Sequence, residues 1–117
     1  MSIAAAQANA FFDEITASGE VWTIRDKGGF PTSTNASGEP AMPFWSKESR
    51  ARKVVENVAA YAAFNVERLP LDKFRANWLP GLQQDGLLVG INWSGERAMG
   101  YDMQPNEVGE RLSTMQI

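Results

Sequence analysis

Apolar residues near the N-terminus recur with the spacing of an amphipathic helix, which predicts a first helix over residues 2–17. Ser2 is a suitable N-cap, and Gly19 stands where a glycine commonly ends a helix. The apolar positions of this predicted helix are Ile3, Ala6, Ala10, Phe11, Phe12 and Ile15.

The next segment changes to β-branched and aromatic residues, which suit a pleated surface and predict a strand over residues 20–26. The sequence Lys-Gly-Gly at 27–29 predicts a turn, and a short strand over 30–33 would complete a hairpin with the first strand. A third strand is predicted over 40–45. Because its two prolines cannot donate hydrogen bonds to a ladder, we expect this strand at the edge of a sheet.

A second amphipathic helix is predicted over residues 47–59, with Ser46 as its N-cap and a basic face opposite its apolar stripe. A third helical region carries Pro80, which lacks an N–H and crowds the preceding turn. This region is therefore predicted as two short pieces, at 71–78 and 80–85.

Three further strands and a last helix complete the pattern. Strands are predicted over 64–69, over the very apolar residues 87–93, which suit a central position, and over 97–103. Pro105 fits the first position of a C-terminal helix, with Val108 and Leu112 facing inward.

These elements predict the α+β class in the order α-β-β-β-α-β-α-β-β-α. We expect one domain over residues 1–117, with a mostly antiparallel or mixed sheet of about five or six strands and three or four helices. No change of composition along the chain indicates a second domain.

Composition limits the chemistry that this chain can perform. The sequence has 117 residues, a net charge of −3, no cysteine and no histidine. Disulfides, thiolate catalysis, cysteine or histidine zinc sites and a Ser-His-Asp triad are therefore excluded from this chain alone. This composition favours a protein that is not an enzyme, and no cofactor is implied.

Charge and hydropathy also limit the expected partners and location. The acidic balance argues against a nucleic-acid partner, which would favour a basic face. No apolar run approaches the ~20 residues of a membrane span, and the N-terminus lacks the cationic start of a signal peptide. We therefore expect a soluble, cytoplasmic protein with no membrane partner.

Three sequence blocks form a recognisable pattern. The first is WTIRD at 22–26 followed by GGFP at 28–31, and the second is PFWS at 43–46 followed by SRA at 49–51. The third is WLPGL at 78–82 leading into DGLLVGINW at 85–93. In order and spacing these blocks resemble the bacterial domain of unknown function 2750 family, and the resemblance extends from about Ala5 to Leu112. It implies a small bacterial domain, and it supplies no catalytic residues because the family has no assigned activity.

Tryptophan and arginine near predicted turns provide the leading functional hypothesis, a non-enzymatic module that binds a protein or a small molecule. Both residue types are enriched in interaction hot spots. Tryptophan also anchors protein cores; Trp78 fits a core role, and for Trp45 and Trp93 both roles stay open. The candidate binding surface consists of Arg25, Phe30, Trp45, Arg50, Trp93 and Arg97.

Two alternatives stay open. An enzyme could use carboxylate and arginine chemistry on an anionic or sugar-like substrate, with Asp26, Asp85 or Asp102 as the acid or base. A structural homodimer could form through the predicted edge strand at 40–45. The carboxylate pairs Asp13/Glu14 and Glu107/Glu110 and the basic cluster at residues 50–53 are interpreted as solvated helix faces, although that cluster could bind an acidic partner or phosphate.

Overall fold

The computed structural model describes residues 3–95 and 98–115, and it confirms the α+β class and the predicted order of elements. The helices are α1 (Ile3–Ser18), α2 (Glu48–Asn57), α3 (Leu71–Lys73), α4 (Leu79–Asp85) and α5 (Pro105–Met115). The strands are β1 (Glu20–Arg25), β2 (Ser33–Thr34), β3 (Pro40–Phe44), β4 (Asn65–Pro70), β5 (Leu88–Ser94) and β6 (Met99–Met103). The predicted N-cap Ser2 lies outside the described residues.

The strands form a four-stranded mixed sheet in the order β2-β3-β5-β6 and an antiparallel pair, β1-β4. In the larger sheet only β3 and β5 are parallel. Trp22 of β1 and Trp45, just after β3, exchange two backbone hydrogen bonds of 2.8 and 2.7 Å, which join the pair to the larger sheet. As predicted, β5 is a central strand, and all of its residues except Ser94 are buried.

The predicted hairpin of the first two strands is wrong, because β1 pairs with β4 over six residues and β2 pairs with β3. The Lys-Gly-Gly turn does form, and it is closed by two backbone hydrogen bonds between Asp26 and Gly29. Pro31, soon after the turn, cannot donate to a ladder, whereas β4 offers β1 a partner along its whole length. The longer pairing therefore prevails over the local turn.

The prediction that residues 40–45 form an edge strand is also wrong, because β3 lies between β2 and β5. Pro43 is accommodated by its position along the strand. In a strand, the N–H and C=O groups of residues two apart point toward the same neighbouring strand. The backbone of Pro43 therefore points to the edge of β3 at which Trp45 pairs with β1, beyond the end of the short β2. There its carbonyl accepts a 2.8 Å hydrogen bond from the Thr23 hydroxyl, and no neighbour requires its missing N–H.

The third helical region is divided near Pro80 as predicted, and the division takes the form of a π-helical turn. The turn before Pro80, Phe74–Trp78, is π-helical, and the Leu79 N–H bonds to the Phe74 carbonyl five residues earlier. Pro80 then stands in the first turn of α4, where no N–H is needed. Gly86 ends α4 at φ 71°, as predicted.

Two apolar clusters form the core. One lies against α1, α4 and α5 and contains Phe11, Phe44, Phe74 and Leu112, and the other packs beneath α2. The second cluster contains Ile24, Trp45, Ala51, Val54, Val58 and Trp93. None of the helices in the described ranges has the length and apolar character that crossing a bilayer requires.

A bulge near the end of β5 places Trp93 over two glycines. The register to β6 shifts between Ile91 and Ser94, and Asn92 has a φ of 48°. Trp93 therefore shares a sheet face with Gly90, although residues three apart in a regular strand point to opposite faces. A Cβ at Gly90 would lie 2.5 Å from the indole, and one at Gly100 would lie 2.8 Å from it.

We expect Gly90→Ala to destabilise the protein by about 1–3 kcal/mol, because the new methyl group must displace the Trp93 indole. Urea denaturation measures the free energy of unfolding. Gly81→Ala is the matched control, since that position lies in α4 and a methyl group added there would have no atom within 4 Å. We expect this control to be neutral or stabilising by up to about 1 kcal/mol. Equal effects of the two substitutions would contradict the proposed steric role of Gly90.

Candidate functional site

An open cleft of about 800 Å³ lies between α2 and the end of β5. One wall is formed by residues of α2 and by Lys47 before it, and the opposite wall is formed by Asn92, Trp93, Ser94 and Gly95, with Gln7 of α1 beside them. The residues that line the cleft on the side of α2 are Lys47, Ser49, Arg50, Lys53, Val54 and Asn57.

The α2 wall is cationic. Arg50 and Lys53, three residues apart, lie on one face of α2, and Lys47 precedes the helix as its N-cap residue with an extended backbone. No carboxylate is among the lining residues that the structure describes. The described lining of the cleft therefore carries a net positive charge, although the whole chain is acidic.

Glu14 of α1 is the carboxylate that pairs with this cationic face. Its Oε1 and Oε2 accept hydrogen bonds of 3.1 and 3.2 Å from Arg50 Nε and Nη2, and Lys47 Nζ lies 3.8 Å away. Burial, the largest single influence, raises the pKa of Glu14. The hydrogen bonds from Arg50 and Ser46 and the two nearby cations together outweigh it and hold the pKa below the ordinary value of 4.5.

A buried polar network continues from Glu14 to β5. The Ser46 hydroxyl donates to Glu14 Oε1 at 2.5 Å, and the Ser46 N–H donates to Asn92 Oδ1 at 2.9 Å. Asn92 Nδ2 in turn donates to Ser46 Oγ at 3.0 Å and to the Gln7 carbonyl at 3.2 Å. The network ties α1, the end of β3 and the bulge of β5 together beneath the cleft.

The prediction that Ser46 caps α2 is wrong. The helix begins at Glu48 after Lys47, which forms no side-chain cap. The Ser46 hydroxyl bonds to Glu14 instead. A serine beside a carboxylate could in principle be an activated nucleophile, but Ser46 is only 2% exposed, and a carboxylate with a lowered pKa is a weak base. We therefore assign Ser46 and Glu14 a structural role.

The structure distributes the six predicted surface residues over different places. Arg50 and Trp93 line the cleft. Trp45 is fully buried, so it anchors the core and cannot form part of an exposed surface. Arg97 lies outside the described residues.

Arg25 and Phe30 form a separate pair, with the guanidinium carbon 5.2 Å from the ring centroid. Arg25 also approaches Glu67 at 3.5 Å. Ile24, the preceding residue, packs beneath α2, and successive strand residues point to opposite faces. The Arg25 side chain therefore leaves the sheet on the face away from α2 and the cleft. The rings of Phe30 and Trp78 pack edge to face, with their centroids 4.8 Å apart.

The two tryptophans near the cleft are linked through the backbone. Trp45 Nε1 donates to the Trp93 carbonyl at 2.8 Å, and Trp93 Nε1 donates to Asp102 Oδ1 at 2.9 Å. Trp93 is only 5% exposed. Its indole therefore presents a small part of its surface to the cleft.

None of the three carboxylates considered for catalysis lines the cleft. Asp26 accepts a 2.8 Å hydrogen bond from the Gly28 N–H in a turn. Asp85 is exposed. Asp102 bonds to Trp93 and to Asn35. Within residues 3–95 and 98–115, no group of three or more acidic side chains is arranged to hold a metal ion.

Several residues of this site are not identified from the sequence, among them Glu14, Lys47, Asn57 and Asn92. Glu14 and Lys53 are interpreted as parts of solvated helix faces, with phosphate binding left open for Lys53, and Asn92 is treated only as part of an apolar strand. The signals are present: a lone amide inside a strongly apolar segment needs buried partners, and the basic residues of α2 recur on one face. The sequence does not indicate which helix supplies the carboxylate.

Comparisons with known proteins agree with the resemblance noted from the sequence. The family model described as "Protein of unknown function (DUF2750)" matches residues 8–112. A search of curated proteins finds no match.

We expect Glu14→Gln to lower the free energy of unfolding at neutral pH by about 1–3 kcal/mol, since hydrogen bonds to a charged group are lost. Folding lowers the pKa of Glu14 below its ordinary value of 4.5. The ionised carboxylate therefore stabilises the folded state fully at pH values above 4.5, and this stabilisation is lost as the pH falls below 4.5 and through the folded-state pKa. The difference between wild type and variant should therefore shrink in acid, as measured by urea denaturation at a series of pH values.

Asp13→Asn is the matched control for this prediction, because Asp13 is an exposed neighbour on the same helix. We expect it to change stability by less than about 0.5 kcal/mol. A Glu14→Gln effect that stays constant with pH would contradict the role of the ionised carboxylate.

Proposed function

Because the chain belongs to the DUF2750 family of proteins of unknown function, we propose its role from the cleft: it is a non-enzymatic binding module that holds a small anionic ligand between α2 and the end of β5. The observation that carries this proposal is the charge of the cleft. Three cations line it, and one carboxylate pairs with two of them.

The dimensions of the cleft support a small ligand. Its volume of about 800 Å³ falls within the ~300–1,000 Å³ typical of small-molecule pockets. Hydrogen-bonding side chains such as Ser49 and Asn57 stand beside the cations and could fix the orientation of a ligand. A local positive field also attracts anions to a chain whose net charge is negative.

The other hypotheses receive less support from the geometry. Asp26, Asp85 and Asp102 do not line the cleft, so none of the three carboxylates named for the enzyme hypothesis belongs to its described lining. The homodimer hypothesis relied on β3 as an edge strand, and β3 is interior. The bacterial source and cytoplasmic location expected from the sequence remain part of the proposal.

Thermal unfolding in the presence of simple polyvalent anions tests this function. We expect citrate, inorganic phosphate or pyrophosphate to raise Tm relative to sodium chloride of equal ionic strength. A ligand at a hundredfold excess over its Kd stabilises by about 2.7 kcal/mol, which raises Tm by several degrees in a domain of this size.

Lys53→Gln should remove about half of this rise or more, because Lys53 lines the cleft and forms no ion pair with a described carboxylate. Lys73→Gln is the matched control, since Lys73 is an exposed lysine of α3 that does not line the cleft. The proposal fails if none of the three anions raises Tm, or if both variants respond as wild type does.

A further inference from the structure

The charge balance of the cleft indicates how many negative charges its ligand carries. Arg50 uses Nε and Nη2 to bind Glu14, and Lys47 approaches the same carboxylate. Three lining cations and one carboxylate leave an excess of two positive charges among the described residues. A ligand with two negative charges would neutralise this excess.

Lysine side chains account for two of the three cations, and they are compatible with a phosphate group. The guanidinium of Arg50 already makes its two-point contact with Glu14. A carboxylate of a ligand could therefore bind only the lysine ammonium groups and the remaining Nη1 group of Arg50. Lysine commonly binds phosphate as a point charge. A phosphate monoester carries about −1.5 to −2 charges at neutral pH, which matches the excess.

The rest of the cleft is suited to hydroxyl groups. A phosphate alone would fill only a small part of about 800 Å³. The lining beyond the cations includes the amides of Gln7 and Asn57 and the hydroxyls of Ser49 and Ser94. Gln7 and Ser94 hydrogen-bond to each other, and each retains further capacity for donating or accepting.

The aromatic wall does not favour a nucleobase. Base stacking needs an open ring face, and the Trp93 indole is 5% exposed, with one side against Gly90 and Gly100. Amides and hydroxyls at the wall instead suit the hydroxyl groups of a sugar or another polyol.

Resting on the proposed function, we infer that the ligand is a phosphorylated sugar or polyol, whose phosphate binds Arg50 and Lys53 and whose hydroxyl groups bind the amides and hydroxyls of the cleft. The phosphate supplies the charge, and the hydroxyl groups supply the preference over free phosphate. Asn57, at the last position of α2, is the residue assigned to this preference.

Isothermal titration calorimetry with defined probes tests this inference. The probes are glucose 6-phosphate, ribose 5-phosphate, glycerol 3-phosphate, inorganic phosphate, succinate, glucose and adenosine 5′-monophosphate. We expect at least one of the first three to bind about tenfold or more tightly than inorganic phosphate and succinate, the gain from a few hydrogen bonds. Glucose should not bind measurably.

Two variants separate the contributions of charge and hydroxyl recognition. Lys53→Gln should weaken all phosphate-containing probes by about tenfold or more. Asn57→Ala should weaken binding of the phosphorylated polyol by a larger factor than binding of inorganic phosphate, and should thereby remove most of the preference for the polyol. Asn57 is exposed and alanine favours a helix, so this variant should remain folded, which circular dichroism checks.

Each remaining outcome overturns a defined part of the inference. Equal affinity for inorganic phosphate and the three phosphorylated polyols, or an unchanged preference in Asn57→Ala, removes the polyol assignment and leaves the anion-binding function standing. Tighter binding of succinate than of the three phosphorylated polyols overturns the phosphate assignment. Tighter binding of adenosine 5′-monophosphate than of all three polyol phosphates replaces the polyol by a nucleotide. Failure of every anion to bind overturns the proposed function itself.

Discussion

The burial of the Asn92 amide is the constraint on which the cleft depends. Asn92 is 1% exposed in a strand whose other buried residues carry no side-chain amide or charge, and an unsatisfied amide there would be costly, about 1–3 kcal/mol for each lost partner. Its partners come from the end of β3 and from α1. Satisfying one side chain therefore fixes the positions of three elements, and the same bulge turns Trp93 over the glycines of β5 and β6.

The Glu14 carboxylate extends this constraint from the core to the surface. It accepts from the buried Ser46 hydroxyl on one side and from the partly exposed Arg50 on the other. The guanidinium is thereby held in one orientation at the edge of the cleft, while Lys53 pairs with no described carboxylate. Because Arg50 is already fixed, less entropy is lost when an anion binds there.

Local patterns along the chain are sufficient for the order of elements and for the helix ends at Gly19 and Gly86. They fail where a distant partner competes with a local signal. The Lys-Gly-Gly turn indicates a hairpin, but β4 offers β1 a longer ladder. The Ser46 hydroxyl is expected to cap the next helix, but Glu14, 32 residues away, bonds to it. The cleft has the same origin, since its carboxylate and its cations belong to different helices that periodicity alone cannot orient.

The parallel pairing of β3 with β5 has a consequence for how the protein reaches its native state. The chain between these strands includes α2, β4, α3 and α4, and it forms a long loop whose two ends must meet before β3 and β5 can pair. Contacts of such large sequence separation carry a high loop-closure entropy and form late. The cleft spans this closure, because one wall is α2 and the other is the end of β5. A ligand held there would accordingly slow unfolding more than it would speed folding.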